Sequence, residues 1–153
     1  MDCSRNVFDV ADLFDLERFV QAQAHSYDQV LAELRAGRKR GHWMWFVFPQ
    51  IAGLGRSPTA QWYAISGLEE ARAYLEHPVL GSRLLECCQA LQELPQSDPE
   101  AVLGGIDALK LRSSMTLFAR ARPDEPLFAG VLARWYRGRY DDATERILAG
   151  RGP

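Results

Sequence analysis

The sequence is poor in cysteine. Cys3, Cys87 and Cys88 are the only three among 153 residues, and the adjacent pair falls in a helical pattern, where neighbouring side chains point roughly 100° apart. No C-x-x-C spacing is present. The sequence therefore supports neither a disulfide framework nor a structural zinc site. We expect a reduced protein with no bound metal and no cofactor.

Long apolar runs are also missing. No run approaches the ~18 residues that a membrane-spanning helix needs. Residues 1–5 are not followed by the apolar stretch of a signal peptide. We therefore expect a cytoplasmic protein that does not associate with membranes.

Neither sign of charge dominates the sequence. The formal net charge is -2, which provides no overall attraction for nucleic acid or anionic membranes, so any basic site must be local. Arg134, Arg137 and Arg139 have acidic residues close by in the sequence. We therefore rank generic nucleic-acid binding third among the candidate functions.

Common catalytic motifs are absent as well. The chain contains no G-x-S-x-G, H-E-x-x-H, Walker loop or G-x-G-x-x-G sequence, which argues against the corresponding reaction classes. Its three histidines, His25, His42 and His77, have no metal-ligand spacing.

Helical periodicity is what the sequence does contain. Hydrophobic residues make up 47% and charged residues 25% of the chain, as is ordinary for a folded domain. The apolar spacing predicts a compact all-α domain of about eight short helices over residues 14–150, after a flexible leader at 1–13. The aromatic run 43–48 is predicted to be a buried helix that ends before Pro49, because no second strand-like run is present to pair with it.

Capping side chains mark where several helices begin or end. The predicted N-caps are Asp15, Ser57, Asp98 and Asp141; capping boxes are predicted at Ser26 with Gln29 and at Ser66 with Glu69; Gly37 and Gly104 with Gly105 are predicted to end helices.

The first candidate site is the basic turn 37–41 and the aromatic segment 43–48 that follows it. Glycines let backbone N–H groups approach an anion closely, and Lys39 and Arg40 add positive charge, while Trp45 offers a stacking surface. The alternative is a solvated turn followed by core aromatics. His42 is either a structural residue or a base, and Gln50 adds a further polar group.

The second candidate site is a polar cluster within a helical pattern: Asp107, Lys110, Ser113, Ser114 and Thr116. Asp107, Lys110 and Ser114 are spaced i, i+3 and i+7, so they share one stripe of a helix that is suited to facing a pocket. The alternative is structural. Asp107 is then a helix cap, and the two serines bond back to earlier carbonyl groups.

A longer series of positions resembles one family across residues 14–148. The positions are 37–39, 42–50, 53–57, 63–65, 70–71, 74–75, 77–81, 83–84, 107, 110–111 and 113–118. They resemble the bacterial domain-of-unknown-function family eighteen-ten, whose members are often labelled calpastatin-like. The resemblance implies a compact, mainly helical single domain without an established activity.

Residues 71–84 also look similar, in arrangement, to part of a helical superfamily linked to NAD and ADP-ribose chemistry. This likeness places a nucleotide-like ligand above other anions as the expected partner.

Two hypotheses of function follow. In the first, both clusters form one site for a phosphorylated nucleoside or ADP-ribose-like molecule and hydrolyse its N-glycosidic bond. Asp107 and His42 are the catalytic candidates; Lys39, Arg40, Trp45, Gln50, Lys110, Ser113, Ser114 and Thr116 are the ligand-binding candidates. In the second, the aromatic segment 43–48 is the exposed surface of a non-catalytic protein-interaction module. The sequence does not specify an oligomeric state.

Overall fold

A computed structural model describes residues 12–152, which contain ten helices. They are α1 (Glu17–Gln23), α2 (Tyr27–Ala36), α3 (Met44–Val47), α4 (Pro58–Trp62), α5 (Leu68–Glu76), α6 (Leu80–Gln92), α7 (Pro99–Leu103), α8 (Gly105–Ala121), α9 (Pro126–Tyr136) and α10 (Asp142–Leu148). The all-α prediction is confirmed. The helices outnumber the eight or so expected because α3, α4 and α7 are only four or five residues long.

The longest helix, α8, lies at the centre of the domain. It packs against α5, α7, α9 and α10. All side chains from 113 to 119 are buried, as expected of a helix enclosed by its neighbours on every side. In the first two turns of α8, by contrast, Ile106 and Leu109 are exposed.

The aromatic segment forms α3, as predicted, and its core members contact distant helices. Trp43, Met44, Val47 and Phe48 are buried. After Pro49, the chain makes one isolated parallel bridge between Ile51 and Ile65, which is the only β-pairing among the described residues. The prediction of a helix rather than a strand is therefore confirmed for 44–47.

Three predicted N-caps are confirmed. Ser57 accepts a hydrogen bond from the backbone N–H of Ala60, Asp98 from Glu100 and Ala101, and Asp141 from Thr144. In each case the capping group and its partners are neighbours in the sequence, so local chemistry alone determines the contact.

The predicted cap at Asp15 is wrong. Helix α1 begins at Glu17, and the carboxylate of Asp12 accepts hydrogen bonds from the N–H groups of Leu16 and Glu17. Asp15 instead has a left-handed backbone, with φ of 54°. Residues 1–11, which make up most of the predicted leader, lie outside the described residues.

Neither predicted capping box forms as expected. Ser26 precedes α2, but its hydroxyl donates to the carbonyl of Ala22 instead of accepting from the helix. At α5, Glu70 replaces Glu69, because it accepts hydrogen bonds from both the N–H and the hydroxyl of Ser66. Glu70 is also held by Arg18 at 2.9 Å, a partner from α1 that the local pattern does not contain.

Two glycines place the first candidate site beside α8. Gly37 ends α2 with a φ of 75°, and Gly104 joins α7 directly to α8 with a φ of 88°. Such values favour glycine, which has no Cβ to clash. Between them, the N–H of Lys39 donates to the carbonyl of Val102 at 2.8 Å. The basic turn and the start of α8 are therefore neighbours.

No helix within residues 12–152 combines the length and the apolar character needed to cross a bilayer.

Helices α5 and α6 approach each other so closely at Gly81 that only glycine fits. A Cβ at this position would lie 2.0 Å from the carbonyl oxygen of Leu75. We expect Gly81→Ala to lower the free energy of unfolding by about 1–3 kcal/mol, because the backbones must separate. Urea unfolding measures this change.

Gly130→Ala is the matched control within α9. A Cβ there would meet only the side chain of Gln92, at an ordinary 3.5 Å, and alanine favours a helix by about 1 kcal/mol over glycine. We expect this variant to be more stable than the wild type. If both substitutions changed the free energy of unfolding equally, the result would contradict the close approach of the two helices at Gly81.

Candidate functional site

An open pocket of about 410 Å³ lies between the basic turn and the first two turns of α8, and we call it the Asp107 pocket. It is lined by Lys39, His42, Met44, Trp45, Leu103, Gly104, Gly105, Ile106, Asp107 and Lys110. Members of both clusters identified in the sequence therefore line one concave pocket.

Asp107 is the centre of the charged part of this pocket. Its Oδ2 lies 2.8 Å from Nζ of Lys39, and its Oδ1 lies 3.5 Å from Nζ of Lys110. The side chains of Lys39, Asp107 and Lys110 are 8%, 18% and 20% exposed. Asp107 is not the helix cap, since α8 begins at Gly105 with Gly104 as the capping residue. It lies in the first turn, where the helix dipole favours a negative charge.

Lys39 and Lys110 are the only lysines in the chain, and every other basic side chain that carries a permanent charge is arginine. Both lysines are within ion-pair distance of the same carboxylate. Lysine is a compact charge on a flexible stem, whereas arginine is a rigid planar fork. The Asp107 pocket is therefore chemically distinct from the remaining charged surface of the protein.

Two tryptophans flank the lysines. Nζ of Lys39 lies 5.1 Å from the ring centroid of Trp43, and Nζ of Lys110 lies 4.4 Å from that of Trp45. Trp43 is buried, but Trp45 is half-buried and lines both the Asp107 pocket and a narrow crevice beside Tyr63. The ring of Trp45 is thus the aromatic surface that a ligand in the pocket can reach.

The basic turn is held in place by Glu33, which lies on α2 and is only 6% exposed. Its Oε1 accepts hydrogen bonds from the N–H groups of Arg40 and Gly41, at 2.7 and 3.0 Å, and from Nε1 of Trp43 at 2.9 Å. Gln29 donates to Oε2 at 2.8 Å. Burial alone raises the pKa of Glu33, but these four bonds outweigh it and lower the pKa to about 2. The turn also closes on itself, since Nζ of Lys39 donates to the carbonyl of Gly41.

Five of the ten candidate residues line the pocket: Lys39, His42, Trp45, Asp107 and Lys110. His42 is exposed and lies at the rim. Arg40 contributes its backbone N–H to the turn, while its exposed side chain lies outside the pocket lining.

The remaining four candidates do not line the pocket. Ser113, Ser114 and Thr116 are buried, whereas Gln50 is half-buried and lines the narrow crevice beside Trp45 and Tyr63. Gln50 donates to the hydroxyl of Ser113 at 2.6 Å, and Ser113 donates to the carbonyl of Lys110. Thr116 donates to the carbonyl of Arg112 and accepts from the N–H of Asp141. Ser114 is fully buried, and its hydroxyl has no hydrogen-bond partner in the described part of the chain. We have no physical account of this unpaired hydroxyl.

The aromatic segment does not form the exposed patch that the interaction-module hypothesis requires. Four of its six residues are buried in the core. The large apolar side chains that are exposed beside the pocket are Ile106 and Leu109 of α8, at 74% and 66%. The exposed apolar surface beside the pocket is therefore formed by α8 and not by the segment 43–48.

Comparison with known proteins shows to which family the chain belongs. Residues 13–148 match the model of the family described as protein of unknown function (DUF1810), the family that the sequence resembles. The chain belongs to DUF1810. No curated protein matches the chain.

A solved structure resembles this DUF1810 protein closely. It is the crystal structure of the conserved hypothetical protein Rv1873 from Mycobacterium tuberculosis, which is 56% identical in sequence. The match has a TM-score of 0.89 and covers 90% of this chain and 99% of that chain. The described parts of this DUF1810 protein contain no group of three or more His, Cys, Asp or Glu side chains placed to hold a metal ion.

Two features of the DUF1810 site were missed by the sequence analysis. Glu33 was not identified as the residue that holds the basic turn, although a turn with several free N–H groups needs a nearby acceptor. Gly104 and Gly105 were interpreted only as a helix stop, whereas Gly104 joins two helices and both glycines line the pocket. The G-G pair between two helical patterns was the available signal for this junction.

The depressed pKa of Glu33 makes the stability of the protein depend on pH. The ordinary pKa is 4.5 and the folded value is about 2, so ionised Glu33 contributes on the order of 3 kcal/mol above pH ~5, and this contribution is lost as pH falls toward 2. We expect Glu33→Gln to destabilise the protein by about this amount at pH 7 and by much less near pH 2. Urea unfolding across this pH range measures the difference.

Glu93→Gln provides the control, because Glu93 is exposed and its carboxylate takes part in a single hydrogen bond within residues 12–152, from the side chain of Gln89. We expect little effect at either pH. A Glu33→Gln variant whose deficit does not shrink in acid would contradict the role assigned to the carboxylate.

Proposed function

We propose that the Asp107 pocket binds a small anionic, nucleotide-like molecule such as a phosphorylated nucleoside or ADP-ribose. The observation that carries this proposal is the convergence of Lys39, Lys110 and Asp107 beside the accessible ring of Trp45. A concave site with apolar walls and a few convergent polar groups is the usual form of a small-molecule site.

The charge of the pocket favours an anion. Two ammonium groups share one carboxylate, which leaves one positive charge in excess. The first N–H groups of α8 also point toward this end of the helix, and no side chain caps them. The positive end of the helix dipole therefore adds to the attraction for a phosphate group.

Lys110 and Trp45 supply the two parts of a nucleotide site. The ammonium group of Lys110 covers one face of Trp45, at 4.4 Å from the ring centroid. When Lys110 turns toward a phosphate group, it exposes this face to a base, and aromatic stacking then contributes to binding. Lys39 is the more buried lysine and keeps Asp107 in place during this movement.

The hydrolytic part of the proposal assigns charge stabilisation to Asp107. Asp107 is the one carboxylate among the described residues that line the pocket, so it is the group that can stabilise an oxocarbenium-like centre once a bound phosphate has neutralised the two ammonium groups. His42 is the exposed imidazole at the rim of the pocket, and we assign it the role of general acid or base. The alternative function, a protein-interaction module built on segment 43–48, has less support because most of that segment is core.

Thermal unfolding with nucleotides, NAD and ADP-ribose tests the binding proposal. A ligand at ~100 times its dissociation constant raises the free energy of unfolding by about 2.7 kcal/mol, which for a domain of this size raises Tm by roughly 5–10 °C. We expect Lys110→Met and Trp45→Leu to lose most of this shift, since they remove the phosphate contact and the stacking surface.

Arg38→Met is the matched control. Arg38 is an exposed basic residue in the same turn, but it does not line the pocket. Its variant should keep the full shift. The binding proposal fails if none of these ligands stabilises the wild type, or if Lys110→Met responds as strongly as Arg38→Met.

Asp107→Asn separates binding from hydrolysis. Removing the carboxylate leaves both lysines free to contact an anion, so a phosphorylated ligand should bind at least as tightly as to the wild type. Release of the base or of nicotinamide, followed by chromatography, should fall by ~100-fold or more if Asp107 stabilises the transition state. Stabilisation by a ligand without any turnover in the wild type would retain the binding proposal and reject the hydrolytic one.

A further inference from the structure

A second depression, of about 240 Å³, lies where the end of α9 meets the second turn of α8. It is lined by Arg112, Trp135, Tyr136, Arg137 and Arg139, and we call it the arginine groove. Within residues 12–152, no acidic side chain lines it. Arg112 lies about 140° around α8 from Asp107 at 100° per residue. The arginine groove and the Asp107 pocket are therefore separate sites on one helix.

Arg112 is fixed in the groove by the backbone. Its Nε donates to the carbonyl of Arg139 at 2.9 Å, and its Nη2 donates to the carbonyl of Tyr140 at 2.6 Å. Its Nη1 takes part in no hydrogen bond within residues 12–152. A guanidinium group that is held by two carbonyls and retains a free N–H edge is oriented before any ligand arrives.

Arg137 occupies a backbone conformation that its side chain does not favour. It ends α9 with a φ of 57°, and Gly138 follows with a φ of 74°. Positions with such φ values are usually glycine or asparagine. An arginine here is better explained by a function of its side chain than by local stability.

Two of the acids that follow in the sequence are engaged by partners outside the groove. Asp141 accepts hydrogen bonds from the N–H and hydroxyl groups of Thr144, and Glu145 is paired with Arg120 at 2.6 Å. Arg112, Arg137 and Arg139 form no ion pair in the part of the chain that the structure describes. The acids near Arg137 and Arg139 in the sequence therefore form no ion pair with these two arginines among the described residues.

We propose that the arginine groove binds a phosphate group of a small phosphorylated molecule. Three arginine residues line one depression, and the planar N–H fork of a guanidinium group matches the oxygens of phosphate in pairs. A doubly charged phosphate balances more of this positive charge than a single carboxylate does. The site is independent of the Asp107 pocket, because no residue lines both.

Titration of the ¹⁵N-labelled protein with inorganic pyrophosphate at constant ionic strength tests this proposal. We expect saturable changes in the NMR signals of the Arg112 side-chain N–H and the Gly138 amide. Arg137→Gly should bind at least ~10-fold more weakly, since it loses a charge-assisted contact. Its Tm should equal or exceed that of the wild type, because glycine adopts this φ without strain.

Arg146→Gln and Lys110→Met serve as controls, since Arg146 is an exposed arginine of α10 and Lys110 belongs to the other pocket. Both should retain wild-type affinity at the groove. A parallel titration with ADP identifies the source of the phosphate, because tighter binding of ADP than of pyrophosphate indicates a nucleotide. Signals that do not saturate, changes confined to the Asp107 pocket, or unaltered affinity in Arg137→Gly would each overturn the proposal.

Discussion

The burial of α8 on all sides is the constraint on which the rest of the structure depends. Side chains 113–119 lie entirely within the core, so this half of the helix cannot present a functional group to solvent. The N-terminal turns project from the core, and α7 and the basic turn pack beside them. Both candidate sites lie on these turns, at Asp107 and Lys110 and at Arg112.

A buried carboxylate links this constraint to the basic turn. A loop that passes over the core must pair its N–H groups, because unpaired backbone donors are costly once they leave water. Glu33 accepts from two of them and from the indole of Trp43, which joins α2, the turn and α3 at one point. Lys39 is consequently held against α8 instead of extending into solvent. Glu33 therefore determines the geometry of the Asp107 pocket, although it does not line the pocket.

Local chemistry explains which features could be predicted from the sequence. Apolar spacing was sufficient for the helical class, and Ser57, Asp98 and Asp141 cap helices through partners two or three residues away. The errors involve partners that tertiary structure brings together. Glu70 replaced Glu69 partly because Arg18 lies beside it. The sequence supported the contact between Lys39 and Asp107 only as a hypothesis based on charge and residue type. No local sequence pattern relates two positions that are so far apart in the chain.

The contribution of the Lys39–Asp107 ion pair to the free energy of folding does not explain why this pair is present. Removing two charges from water costs free energy that their attraction roughly repays, and apolar replacements of such pairs often stabilise proteins. Lys39 is only 8% exposed, so its desolvation is substantial. The second lysine on the same carboxylate adds little to the cohesion of the fold, because it lies 3.5 Å away on the same helix. Folding stability therefore gives little reason for a surplus positive charge beside the accessible ring of Trp45. The proposed binding of an anion does give a reason for it.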